Sequence, residues 1–223
     1  MTKNSSQSVR ETYDRLADTY ARRYIDELQS KPLDCALLNR LATDVQGHGD
    51  VCNMGCGPGH ISRFLRDIGA SVFGLDLSPG MIEQARELNL DISFHVDDMI
   101  SLTLQDDALA GIVAFYAIVN IPPDSLPAVF QEMLRVLKPG GLLLLSFHIG
   151  DEILSPDELL GKRISMDFFF FLPVYIRRRL EAAGFAVEDV IEREPYAPEV
   201  EYQSRRAYIL ARKPGNEVLE VLP

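Results

Sequence analysis

A chain of 223 residues, 47% of them apolar, has room for one α/β domain, since a single core serves up to ~250 residues. Its formal charge of −11 argues against a nucleic-acid partner, whose binding rests on a basic surface. No run of 18 apolar residues occurs, and Leu142–Leu145 is far too short to span a bilayer, so no membrane partner is expected.

The first residues, Met1 to Ser6, lack the apolar stretch of a secretory leader. Cys35, Cys52 and Cys56 are odd in number and form no C-x-x-C pair. They read as reduced thiols in a cytoplasmic protein. Two helical patterns come first, about 5–28 and 32–46, broken at Lys31-Pro32. Tyr13, Ala17, Tyr20 and Tyr24 share one face of the first. That stripe is either part of a lid or the buried side of a packing helix.

The decisive stretch is Val51-Cys52-Asn53-Met54-Gly55-Cys56-Gly57-Pro58-Gly59-His60, followed by Val72-Phe73-Gly74-Leu75-Asp76. An apolar run breaks into alternating glycines, a helical pattern follows, and a second apolar run ends in a carboxylate. Glycine there lets the main chain turn sharply and approach a ligand closely. A carboxylate ending the next strand suits the hydroxyls of a ribose. The remaining alternation places strands near 50–54, 71–76, 91–96, 110–116, 141–148, 185–192 and 205–212. Helices fall near 60–69, 79–89, 124–137 and 173–184, which implies strand–helix–strand units. Ser78-Pro79 supplies an N-cap and a first-turn proline, and Asp124-Ser125 is expected to cap the next helix. Lys138-Pro139-Gly140-Gly141 is expected to stop that helix and turn the chain back. His60 reads as a solvated or capping residue, and 149–172 as an irregular insertion.

Four of these segments, spanning about 50–147, resemble the class I S-adenosylmethionine-dependent methyltransferases of small-molecule type. That family's first motif is an acid, an apolar residue, then G-x-G-x-G, and Asn53-Met54-Gly55-Cys56-Gly57-Pro58-Gly59 matches it with Asn53 in the acid's place. Asp76 in Gly-Leu-Asp-Leu-Ser matches the ribose-binding acid. Val96-Asp97-Asp98-Met99 matches the adenine-contacting motif, with Asp98 preferred over Asp97. Leu137-Lys138-Pro139-Gly140-Gly141 resembles the family's turn into its fifth strand. Tyr13-Asp14-Arg15-Leu16-Ala17-Asp18-Thr19-Tyr20 resembles its Y-D-x-x-A-x-x-Y lid segment.

The resemblance implies a doubly wound, Rossmann-like α/β fold: a seven-stranded, mostly parallel sheet with its last strand antiparallel, plus N-terminal lid helices. Residues 1–46 would form the lid helices, 47–214 the catalytic domain and 215–223 a tail. It also implies S-adenosyl-L-methionine as cofactor, with S-adenosyl-L-homocysteine as product. Gly55, Cys56, Gly57 and Gly59 would pass under the amino-acid end, Asp76 would take the ribose, and Leu77 and Met81 would wall the adenine. Asp98 and the Met99 backbone would meet the adenine edge, Tyr20 would cover the cofactor, and Tyr116 would face its methionine arm. Asn53 would meet the ammonium without charge assistance, so Asn53→Asp is expected to tighten binding.

The acceptor is expected to be a small molecule, bound beyond the strand ends by Tyr13, Asn120, His148 and Phe169. Of these, His148 is a candidate general base and Asn120 a candidate catalytic partner. Phe168–Phe171 suits an apolar acceptor wall or a plain core patch equally. No acidic cluster beyond the cofactor acids calls for a metal. Two alternatives stay open: a binding protein on the same scaffold, and a nicotinamide-dependent oxidoreductase read through Gly57, Gly59 and Ser62. The sequence leaves the oligomeric state and the acceptor atom open.

Overall fold

The apolar runs pair into one seven-stranded sheet in the computed structural model of the protein, which describes residues 3–215. Met1 and Thr2, and the expected tail from residue 216 onward, lie outside the described residues. Helices α1 (Ser6–Tyr24) and α2 (Pro32–Asp44) come first, joined through a 3-10 turn at Glu27–Ser30. Strands and helices then alternate as β1 (Val51–Met54), α3 (His60–Asp67), β2 (Val72–Asp76), α4 (Pro79–Leu88) and β3 (Ser93–Val96). After these come β4 (Leu109–Phe115), α5 (Leu126–Val136) and β5 (Leu137–His148). The insertion carries β6 (Ile153–Leu154), β7 (Glu158–Leu159), β8 (Lys162–Arg163) and β9 (Phe168–Phe169). Helix α6 (Pro173–Ala183), β10 (Ala186–Arg193) and β11 (Arg206–Arg212) complete it.

The sheet order is β10-β11-β5-β4-β1-β2-β3. Strands β1 to β5 pair in parallel, and β11 runs antiparallel to both β5 and β10. This is the Rossmann-like arrangement with an antiparallel last strand that the resemblance implied. Successive residues of a strand face opposite ways, and the core divides accordingly. Ile112, Ala114, Leu143, Leu145 and Ile209 face α5 and α6, whereas Val113, Leu142, Leu144, Tyr208 and Leu210 face α2 and α3. Helix α4 covers the β2–β3 edge, where Ile82 and Ala85 join Cys56 and Phe94. The reversal of strand order between β4 and β1 opens a crevice at their carboxyl ends, where open α/β sheets bind ligands.

Several local expectations need correction. Helix α5 ends at Val136, and Leu137 is already extended and paired with Leu109. Lys138-Pro139-Gly140-Gly141 is therefore an irregularity inside β5 rather than a turn outside it: proline pushes its predecessor out of the helical region, and the shifted register absorbs the extra length. Ser125 makes no capping bond, because its own backbone is already helical and an N-cap needs an extended one. Ser78 does cap α4, its Oγ accepting from Met81 N at 3.1 Å. The insertion forms two short ladders, β6 with β9 and β7 with β8.

Candidate active site

The loop after β1 forms the floor of the crevice, and its geometry explains its glycines. Gly55 and Gly59 adopt φ of 69° and 86°. A Cβ on Gly55 would sit 2.7 Å from Ala117 Cβ, and one on Gly59 would sit 2.8 Å from both Asn89 Nδ2 and Phe94 Cζ. Cys56 N donates to Leu75 O at 2.9 Å, which ties the loop to β2. The Cys52 and Cys56 thiols are free and buried, and burial raises both above the usual thiol range.

Asp76 closes β2 directly beside this loop. Its Oδ2 accepts from Gly57 N and its Oδ1 from Ser78 N, both at 2.9 Å. Burial pushes the Asp76 carboxyl up, and the Ser78 and Gly57 bonds act against that push. Each oxygen keeps acceptor capacity, so the carboxylate is held in place with lone pairs to spare for a diol. Leu77, Met81, Met99 and Leu102 line the crevice beyond it.

Helix α1 forms the ceiling. Asp14 Oδ1 accepts from Ser78 Oγ at 2.6 Å and from Gly80 N at 2.9 Å, which fastens α1 to the start of α4. Gly80 permits the approach, since a Cβ there would meet the Asp14 backbone at 3.1 Å. Tyr13 donates to Asn120 Oδ1 at 2.7 Å, and Asn4 Nδ2 donates to Asn120 O at 2.7 Å and Asp167 O at 2.9 Å. Tyr20 stands over the loop: a Cβ on Gly57 would lie 3.8 Å from its ring. Burial raises the Tyr13 and Tyr20 hydroxyls well above their ordinary range, so both act as neutral walls. At the far end Glu27 and His60 line the crevice, with His60 Nε2 2.7 Å from Glu27 Oε1. Lys31 Nζ donates to the other Glu27 oxygen at 2.6 Å.

The acceptor side is more closed than the strand ends suggested. Tyr116 and Asn120 line the crevice, Tyr116 with a φ of 53° that L residues rarely adopt. The Tyr116 ring separates the crevice from His148, their centroids being 5.1 Å apart. His148 stacks on Phe170 at 4.8 Å, and its Nδ1 lies 2.7 Å from Ser204 Oγ. Burial, with the Arg206 and Lys31 charges beyond it, lowers its pKa to about 3.

Of the residues singled out from the sequence, Tyr13, Tyr20, Gly55, Cys56, Gly57, Asp76, Leu77, Met81, Met99, Tyr116 and Asn120 all line this one crevice. Gly59 supports the loop from behind. Four others stand elsewhere. Asn53 is 1% exposed and donates to Ser62 Oγ at 3.0 Å, locked between sheet and α3 rather than facing the crevice. Asp98 turns toward α1 and accepts from Ser6 Oγ at 2.8 Å, while Asp97 lines the crevice. His148 lies behind Tyr116. Phe169 is 3% exposed, its ring 6.3 Å from that of Phe171 in the core beneath α5 and α6, so packing decided the phenylalanine run. His60, expected to be solvated or capping, is buried at the first position of α3, where Gly59 is the N-cap. Asp14, Glu27 and His60 were not picked out as site residues, Asp97 was the second choice to Asp98, and the Glu27–His60 pair leaves no periodic signal because 33 residues separate it.

The crevice suits a nucleoside cofactor on structural grounds. It has a glycine-rich cradle, a fixed carboxylate with acceptor capacity left, an apolar wall and, at the opposite end, a buried His60 Nδ1 with no partner among the described residues. Among the described residues no group of three metal-ligating side chains occurs, and no helix is long and apolar enough to cross a membrane. Residues 51–141 match the family model described as a methyltransferase domain. Over 147 residues the chain is 33% identical to a malonyl-[acyl-carrier protein] O-methyltransferase of Enterobacter lignolyticus, covering 66% of this chain and 56% of the relative. Over 100 residues it is 35% identical to a 2-methyl-6-phytyl-1,4-hydroquinone methyltransferase of Synechocystis sp., covering 43% and 31%. The chain thus spans about a third to just over half of these relatives' length. Among solved structures it superposes on the DhpI–SAH complex with a TM-score of 0.70 and 22% identity, covering 95% of this chain and 97% of that one.

Proposed function

We propose that residues 51–141, which match a methyltransferase-domain model, belong to a class I, S-adenosylmethionine-dependent methyltransferase, and that the protein transfers a methyl group from S-adenosylmethionine to a small-molecule nucleophile. The observation that carries this reading is Asp76, held by Gly57 N and Ser78 N beside a glycine cradle and under α1. S-adenosylmethionine, when bound, supplies a methyl group on a sulfonium that needs no further activation. The chain's own residues have to bind, orient and keep water out. Asp76 accepts from the sugar hydroxyls, Leu77 and Met81 flank the base, and Tyr13 and Tyr20 close the crevice from above. Alignment of donor and acceptor contributes as much as ~7–11 kcal/mol, against about 10²–10⁴-fold for a general base. Positioning by Tyr116 and Asn120 therefore suffices for an acceptor that is already nucleophilic. The relatives act on a carrier-bound malonyl group and on a hydroquinone, and both acceptor classes belong in the assay.

A second reading, a binding protein without transfer, draws on one observation. The only histidine lining the crevice among the described residues is His60, tied to Glu27, while His148 stands behind Tyr116. Calorimetry with S-adenosylmethionine, S-adenosylhomocysteine and NAD tests the donor, with the two sulfur nucleosides expected to bind and Asp76→Asn expected to abolish binding. Binding of NAD alone would overturn the assignment. Release of S-adenosylhomocysteine in the presence of a malonyl thioester or a hydroquinone favours the enzyme, and tight donor binding without turnover across both classes favours the binding protein.

A further inference from the structure

The donor proposed above carries an α-amino-acid end as well as its nucleoside, and the inference drawn here concerns that end and rests on that reading. Among the described residues three carboxylates line the crevice: Asp76, Asp97 and Glu27. Asp76 and Asp97 stand at the ends of the neighbouring strands β2 and β3, on the nucleoside side. Glu27 arrives from the turn between α1 and α2 and meets the opposite end, where α3 begins. Its two oxygens are fixed by His60 Nε2 at 2.7 Å and Lys31 Nζ at 2.6 Å. Lys31 is itself steadied by Glu201 Oε2 at 3.8 Å. The side chains of Glu27, His60 and Lys31 are 13%, 8% and 5% exposed, so the cluster is built into the protein rather than laid on its surface.

Burial alone would raise the Glu27 carboxyl, but the His60 hydrogen bond and the Lys31 charge hold it at about 2. Glu27 is therefore an anion at neutral pH, and an ionised carboxylate only accepts, so the proton on His60 Nε2 points at it. That bond fixes the ring and leaves His60 Nδ1 buried with no partner among the described residues, at the first residue of α3. A buried polar atom without a partner costs about 1–3 kcal/mol, a cost that a ligand group would remove. Asn53 cannot supply charge at this end, being neutral and turned to Ser62.

We infer that Glu27 and His60 are the receptor for the donor's α-amino-acid end, Glu27 placing the negative charge opposite the ammonium and His60 Nδ1 closing on the same group. The pair is reached only when the segment after α1 lies over the crevice, so recognition of the amino-acid end is coupled to the seating of the N-terminal region.

The test compares S-adenosylhomocysteine with 5′-methylthioadenosine, which keeps the nucleoside and lacks the amino acid. Calorimetry on the full chain is expected to show Glu27→Gln weakening the first by roughly tenfold to a hundredfold, the worth of a charged hydrogen bond, and leaving the second within about twofold. His60→Leu, which keeps the Glu27–Lys31 pair, is expected to show the same selectivity if Glu27→Gln folds poorly. Equal weakening of both ligands, or of neither, overturns the inference and leaves the donor assignment standing. Failure of the unsubstituted protein to bind either ligand overturns both.

Discussion

Asn53 illustrates how one side chain changes meaning once its surroundings are known. It sits on β1 between Gly74 and Val113 of the neighbouring strands, 1% exposed, and its amide donates to Ser62 Oγ at 3.0 Å. Aspartate there would place a carboxylate in the packing between sheet and α3. Asn53→Asp is accordingly expected to lower stability by about 1–3 kcal/mol at pH 7, with no gain in donor affinity. A buried aspartate has a folded-state pKa above its unfolded value, so its stability contribution is lost as pH rises. The deficit should therefore shrink at pH 4, as read from urea melts at both pH values. A tighter donor complex with unchanged stability would return Asn53 to the crevice.

Helix α1 is the element whose position decides whether the crevice is covered. Its fastening to α4 rests on Asp14, which accepts from Ser78 Oγ and Gly80 N, and thereby occupies the amide end of α4. Carboxylates favour that end of a helix because its first amides are unpaired and its dipole is positive. Asp14→Ala is expected to cost about 1 kcal/mol, the usual worth of a capping group. Hydrogen exchange should show the loss locally, in α1 and the first turn of α4, while the sheet amides keep their protection. Unchanged protection of α1 would show that its packing, rather than Asp14, holds it down.

Across the whole molecule, a buried charged network joins the N-terminal helices to the last strands. Arg193 pairs with Glu201 at 2.5 Å and lies 3.5 Å from Asp34, Tyr208 donates to Asp34 at 2.9 Å, and Arg206 lies 3.6 Å from Glu201. His148 sits beside this network with its pKa lowered from 6.5 to about 3, by burial first and then by Arg206. A lowered folded-state pKa means that the unfolded chain binds more protons between those values, so stability rises with pH across the interval. That contribution is complete above 6.5 and is lost as pH falls towards 3. Thermal midpoints are expected to drop between pH 7 and pH 5, and His148→Gln to flatten the slope in that window. Matching slopes for the two proteins would show that His148 is not held neutral by burial. The same shift keeps His148 uncharged near neutral pH but makes it a weak base, in keeping with its place behind Tyr116 rather than on the crevice wall.

The glycine turn, the carboxylate ending β2, the Ser78 cap and the alternation of strands and helices were readable from the chain alone, because each is set by neighbours within a few residues. Backbone freedom at Gly55 and Gly59, side-chain period and capping chemistry are local properties that a sequence carries directly. What lines the rest of the crevice was not local. Asp14 meets Gly80 across 66 positions, Glu27 meets His60 across 33, and Asn4 meets Asn120 across 116. The strand that turns Asn53 inward and the packing that buries Phe169 are likewise decided by which elements lie against them. Only the folded chain could choose those partners, since burial and charge pairing depend on distances that no periodicity encodes.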